Sequence, residues 1–265
     1  MKRSEINKAL KELEAMCKEY RFALPPFCNF TPEQWLNIGH EYDEVRECML
    51  GWDITDFGMG DFDKVGFGSA VLHGPFTEII PAGIDHRARE TGRKRLEEAF
   101  EVCKALGIKS MVVHNGWIPF MYFKEWQAEK GAKFWTDFMA DKPSDFTIHV
   151  ENVLEDEPYM MSSMMDYIED PRIKICLDIG HANATTPEDI PVEKWIEVLG
   201  KHIGHFHLHN NDGTGDSHGD FDTGSMNMKA IFEAIEKHCA EDITFTIEAR
   251  ECRNCAKWLK DNGYI

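Results

Sequence analysis

"IKICLDIGHA", Ile173–Ala182, is the stretch on which the fold turns. Its first part reads as a short buried strand. Side chains alternate across a strand, so Cys176 and Asp178 point one way and Ile175 and Leu177 the other. The run ends on an acid, and His181 follows three residues later. An apolar strand that stops at a metal-capable side chain is an unusual unit, and the chain repeats it.

Upstream, "GSAVLHGP" ends at His73, "KSMVVHNG" at His114 and "FTIHVENV" at Glu151. Downstream, "IGHFHLHN" carries His207 and "DITFTIEAR" carries Glu248. Helical patterns separate these strands: residues 85–107, 121–141, 158–169, 192–200 and 228–239, with a short closing helix at the end. Strand alternating with helix at this regularity implies parallel β/α units. With "FALPPF" (22–27) and "GWDITDFG" (51–58) added, the strands approach the eight of a (β/α)8 TIM barrel, and the length of 265 residues suits one. A doubly wound open sheet is the rival architecture. The first quarter is the irregular part: an amphipathic helix over 2–20, then a second helix opened by Thr31 and Pro32.

In a parallel barrel all strand ends meet at one mouth, where such barrels do chemistry. Taken singly, a strand-end histidine is more often hydrogen-bonded structure than ligand. Six metal-capable residues on six consecutive strands call for another account, because carboxylates and imidazoles buried together are costly unless cations neutralise them. The loop "HLHNNDGTGDSHGD" (207–220) adds Asp216 and His218, and its glycines let it fold back over the mouth. His205 and His209 share the face of His207, one deeper and one at the rim, and neither is placed among the ligands. His149, His202 and His238 read as structural. Imidazole and carboxylate together suit zinc, manganese, cobalt or iron better than calcium.

The bulk composition excludes other classes. Apolar content is 43% and the net charge is −18, which repels phosphate backbones and anionic membranes. No apolar run reaches the ~20 residues of a membrane span. The charged N-terminus lacks the apolar middle of a signal peptide, so the expected location is the cytoplasm and the eight cysteines are expected as free thiols. That includes Cys252 and Cys255, an unmatched CxxC read as packing.

From about Gly68 to the C-terminus the chain resembles the xylose-isomerase-like barrel superfamily, which holds sugar isomerases and epimerases together with AP endonucleases of the endonuclease IV type. The matching pieces are "VLHGPF", "VVHNG", "HVENV", "CLDIGHA", "HFHLHNND", "DSHGDFDTGS" and "TIEAR". The resemblance implies that Glu151, Asp178, His207 and Glu248 are the metal site of a ketose epimerase. Glu151 and Glu248 would then exchange the proton, and His181 would contact the substrate. Glu157 falls near the epimerases' substrate-binding acid, and Trp117 could wall the sugar, though a packing role suits it equally. The arginine that epimerases carry shortly after the histidine matching His207 is absent, since that region reads "NNDGTG". The endonuclease pattern implies a wider metal set of His73, His114, Glu151, Asp178, His181, His207, Asp216, His218 and Glu248. One to three divalent ions per chain, zinc or manganese first, follow from the two patterns.

Residues 1–66 resemble the start of D-lyxose ketol-isomerases. They are either a fused leader or the source of the barrel's first two strands and helices within one domain spanning 1–265. The expected partner is a small sugar or polyol rather than nucleic acid or membrane, with homo-oligomerisation left open. The expected activity is metal-dependent isomerisation or epimerisation, with multinuclear phosphoester hydrolysis as the alternative.

Overall fold

A computed structural model of the protein describes residues 22–23, 71–250 and 252–264. The expected helices over 2–20 and 31–48, the strand "GWDITDFG" and most of the lyxose-isomerase-like segment lie outside them.

The described strands are β1 (Phe22–Ala23), β2 (Leu72–His73), β3 (Ser110–His114), β4 (Thr147–Glu151), β5 (Ile173–Asp178), β6 (Ile203–Leu208) and β7 (Thr244–Ile247). They form one all-parallel sheet in the order β1-β7-β6-β5-β4-β3-β2. The winding never reverses, and the first strand lies beside the last. That is the cyclic order of a barrel rather than of a doubly wound sheet, which reverses at a switch point. Curvature confirms it. The imidazoles of His73 on β2 and His207 on β6 stack with ring centroids 6.0 Å apart. Four strand spacings in a flat sheet would separate them by roughly 19 Å.

Helices α1 (His86–Leu106), α2 (Lys124–Met139), α3 (Tyr159–Asp166), α4 (Ile179–Thr185), α5 (Val192–Leu199), α6 (Met228–His238) and α7 (Cys252–Asp261) connect and follow the strands. Local chemistry sets their ends. Asp85 caps α1 by accepting the Arg87 N–H, and Gly107 closes it in the left-handed conformation. No such glycine ends α2. Arg172 takes over, donating to the carbonyls of Met139 at 2.8 Å and Lys142 at 2.7 Å while Asp170 holds its guanidinium. Helix α4 was not legible in advance. It starts directly on the last residue of β5, where Asp178 accepts the His181 N–H.

The apolar core lies between sheet and helices, where Trp135 and Phe138 of α2, Trp195 of α5 and Phe206 of β6 are fully buried with Ile175 and Leu177. The alternate residues line the barrel interior, as the strand alternation requires. Cys176 reaches His207, and the two ring nitrogens of His205 lie 2.7 and 3.0 Å from the hydroxyls of Thr244 and Thr246. Cys103, Cys176, Cys239 and Cys255 are free thiols. Burial pushes Cys176 and Cys255 up to about 12, which makes them inert. No helix among the described residues is long and apolar enough to cross a membrane.

Phe206 stacks on Phe245 at 5.6 Å between centroids. Phe206→Ala is expected to cost about 3–5 kcal/mol in denaturant unfolding. Truncating the exposed Phe123 should change stability by less than about 0.5 kcal/mol.

Candidate functional site

The strand ends bring His73, His114, Glu151, Asp178, His207 and Glu248 together, and Glu151 is the hub. Its side chain is 1% exposed. Oε1 lies 3.1 Å from His207 Nδ1 and 3.3 Å from His181 Nδ1, while Oε2 lies 3.3 Å from His114 Nε2 and 3.4 Å from His73 Nε2. His207 Nδ1 is also 3.3 Å from Glu248 Oε1 and 3.6 Å from Asp178 Oδ2. The Glu248 side chain is 16% exposed and faces the mouth.

The 207–220 loop folds back as expected. Asn210 and Gly219 exchange backbone hydrogen bonds at 3.0 and 2.7 Å in an antiparallel bridge. The hairpin returns Asp216 to the cluster, with Oδ2 3.0 Å from His218 Nε2 and 3.3 Å from His181 Nε2. His218 sits at φ 49°, in the left-handed region, so the backbone spends strain to aim this imidazole.

Two features fit this donor set to divalent cations. Atoms bound ~2.0–2.2 Å from one ion stand roughly 3.0–3.5 Å from each other. The nitrogen–oxygen distances above cluster in that range, and Glu151 Oε2 is buried between two imidazoles with no hydrogen bond. The ring nitrogens also point the right way. A carbonyl oxygen only accepts, so a hydrogen bond to one places the proton on that nitrogen and leaves the other lone pair free. His73 Nδ1 meets Gly74 O at 2.8 Å, His181 Nδ1 meets Asn152 O at 2.9 Å and His218 Nδ1 meets Glu248 O at 3.1 Å. Each thereby turns Nε2 toward a carboxylate, the arrangement by which backbone carbonyls orient metal-binding histidines. Three groupings could hold an ion: His73, His114 and Glu151; Glu151, Asp178 and His207; and His209, His218 and Glu248.

Electrostatics binds the cluster. Burial alone would raise the Glu151 carboxyl, but His207, His114 and His181 outweigh it and hold it well below the usual range. Asp178 is lowered in the same way by His181, His209 and His207 against its burial. In return the carboxylates lift His181 and His207 well above the usual imidazole value despite the burial that opposes it. One layer deeper, burial pushes His149 down to about 3 and His205 well below its ordinary value, so both are neutral.

Two expected residues stay apart. Trp117 lies in the apolar core, its indole N–H donating to Tyr122 O at 2.9 Å. Glu157 caps α3 by accepting from Tyr159 and Met160 and pairs with Lys124. No described contact joins either to the cluster. Others were passed over. Asn152 is buried and ties β4 to β5 through two hydrogen bonds to the Asp178 backbone, both 2.9 Å. Phe76 packs its ring against His73 and His114. Glu155 is buried and accepts from Asn115 and from the Val153 and Leu154 N–H groups, which braces the loop after β4. A polar residue beside a strand-end ligand was the readable signal for Asn152. Nothing local marks the other two.

Residues 63–262 match the family model described as xylose isomerase-like TIM barrel, and residues 1–73 match that of D-lyxose isomerase. An uncharacterised protein of Methanocaldococcus jannaschii is 29% identical over 197 residues, 71% of this chain and 66% of that protein. The D-lyxose/D-mannose isomerase of Escherichia coli O157:H7 is 40% identical over 67 residues, 25% of this chain and 30% of that enzyme. The chain thus spans less than two thirds of the length of the curated relatives it matches. Among solved structures, a D-tagatose 3-epimerase-like protein superposes with TM-score 0.65 at 23% identity over 78% of this chain and 80% of that one. The IOLI protein with a bound zinc atom gives 0.67 at 14% over 98% and 97%. An AP endonuclease, family 2, from Brucella melitensis gives 0.65 at 13% over 91% and 98%. At these identities the structural likeness is one of fold. The family match spans most of the chain and every strand-end residue of the cluster: the protein belongs to the xylose isomerase-like TIM barrel family.

Proposed function

We propose that the protein is a metal-dependent isomerase or epimerase of a small keto-sugar or polyol. The observation that carries this reading is the convergence of two glutamates, from β4 and from the end of β7, on one nitrogen: His207 Nδ1, 3.1 Å from Glu151 and 3.3 Å from Glu248. The fold likeness to an epimerase-like protein supports it.

Glu151, Asp178, His207 and Glu248 would hold a zinc or manganese ion. Such an ion supplies a Lewis acid that polarises a substrate carbonyl and so acidifies the neighbouring C–H. Glu248, at the open side of the cluster, takes that proton on its carboxylate. Glu151 approaches from three strands away and returns a proton to the carbon, since a pair of opposed acids can serve the two directions. His181, partly exposed beside both Glu151 and Asp216, steadies a substrate hydroxyl. The apolar ring of Phe76 against His73 and His114 excludes water from that side.

One observation favours a second reading. Glu151 Oε2, His73 and His114 form a further set, and Asp216, His181 and His218 another, beyond what a single-ion site uses. Two or three ions there would suit phosphoester hydrolysis. Charge argues against a duplex substrate. The described loops after the strands, 74–85, 115–123, 152–158, 186–191, 209–227 and 248–250, contain one Lys or Arg, Arg250. Nucleic-acid faces are basic.

Metal analysis of purified protein separates the readings, with about one ion per chain expected for the epimerase site and two or three for the hydrolase. Solvent deuterium should enter a ketose substrate. Exchange into no sugar, together with cleavage of an abasic duplex, would reverse the assignment. Glu248→Gln should fold normally and lose at least about 10²-fold in turnover; full activity would remove Glu248 from the chemistry. The histidine shifts give a pH sign. His207 is raised and so carries a proton in metal-free protein near neutrality, which a cation bound there must displace. Zinc addition should therefore release protons, and zinc affinity should rise with pH from about 6 to 8. An affinity flat across that range, measured with a competing chelator, would contradict the assigned charge states.

A further inference from the structure

We infer that His209 is a positioning residue. It aims Asp178 and clamps the 210–219 hairpin onto the cluster, and Gly180 is glycine because His209 occupies the space of its side chain. The inference rests on the cation-binding reading above but concerns a residue outside the ligand set that the family resemblance implies.

His209 is 0% exposed. Its Nε2 lies 3.1 and 3.2 Å from the two oxygens of Asp178. Asp178 Oδ1 also accepts the His181 backbone N–H at 2.7 Å. Two donors thus engage Oδ1, and Oδ2, which the same His209 nitrogen reaches at 3.2 Å, stands 3.6 Å from His207 Nδ1 in the grouping with Glu151. His209 groups with His218 and Glu248, but a nitrogen that donates its proton to a carboxylate is not offering a lone pair to an ion, so His209 acts on the site through Asp178. This is how carboxylate partners one step removed from a metal tune it.

The same ring reaches the hairpin. Nε2 is 3.5 Å from Asp216 Oδ1, and the imidazole stacks on His218 with centroids 4.1 Å apart and planes 23° from parallel. Asp178 from the sheet and Asp216 from the loop are therefore spaced by one rigid aromatic group. His209 Nδ1 is buried without a partner. A buried polar atom left unpaired calls for an explanation, and the fixed placement of the opposite edge of the ring supplies one.

The fit depends on a residue with no polar atom. A Cβ on Gly180 would come within 1.9 Å of His209 Cε1 and 2.4 Å of both ring nitrogens. Asn211 Nδ2 donates to Gly180 O at 2.8 Å and holds the two segments together. Any side chain at 180 must push the imidazole off Asp178.

The test uses zinc itself, titrated into full-length metal-free protein against a chromophoric chelator, with amide hydrogen exchange over 210–219 as a second readout. His209→Leu is expected to weaken zinc binding about 10–100-fold and to raise exchange in the hairpin before any metal is added. Gly180→Ala should reproduce both effects, with thermal unfolding confirming a folded chain. His209→Gln keeps an amide donor near the Nε2 position and should restore most of the affinity. Wild-type affinity and hairpin protection in both His209→Leu and Gly180→Ala would overturn the inference, as would a His209→Gln variant no better than His209→Leu. Absence of zinc binding in the wild type would instead sink the cation reading, while the exchange measurement would still judge the clamp.

Discussion

Two ionised carboxylates, Glu151 and Asp178, sit almost wholly out of water at the mouth of the barrel. In a low-dielectric interior that placement is prohibitive without compensating positive charge. The rest of the site answers this one constraint. His207 and His181, both lifted above the usual imidazole value, crowd Glu151 with His73 and His114 beside them, and His209 and the N-terminus of α4 hold Asp178. The barrel makes such crowding attainable. Closing the sheet brings residues four strands apart into contact, which no open sheet of this order could do.

The layering below the cluster serves the same end. His149 and His205 are neutral, and Thr244 and Thr246 cover the ring nitrogens of His205. The charged layer therefore rests on a polar but uncharged floor. Beyond that floor, Phe206, Trp135 and Trp195 give the scaffold its apolar mass. Chemistry and stability are thus segregated along the strands. The C-terminal ends carry the titratable groups, and the outward faces carry the core.

Much of this was legible in the sequence because it obeys short-range rules. A strand that is apolar until its last residue announces both its direction and the side chain it presents, so the ring from His73 to Glu248 could be read without coordinates. The D-x-H loop was readable from glycine content and from its two ligand-type residues. Features that depend on distant complementarity were not. Gly180 and His209 lie 29 residues apart and are explained by each other. Helix α4 hides because a strand runs straight into it with no loop between. Trp117, named for its place just past His114, and Glu157, named by resemblance, are held elsewhere: the indole N–H donates to Tyr122 and the carboxylate caps a helix.

Glu151 presents its two oxygens to opposite neighbours, His207 and His181 on one side, His73 and His114 on the other. Both oxygens hang on a single planar group, so neither can reorient alone. Whatever draws one oxygen toward its partners swings the other away from or into its own. The two halves of the mouth are consequently tied by one planar carboxylate, whose turn about a single bond moves both oxygens at once.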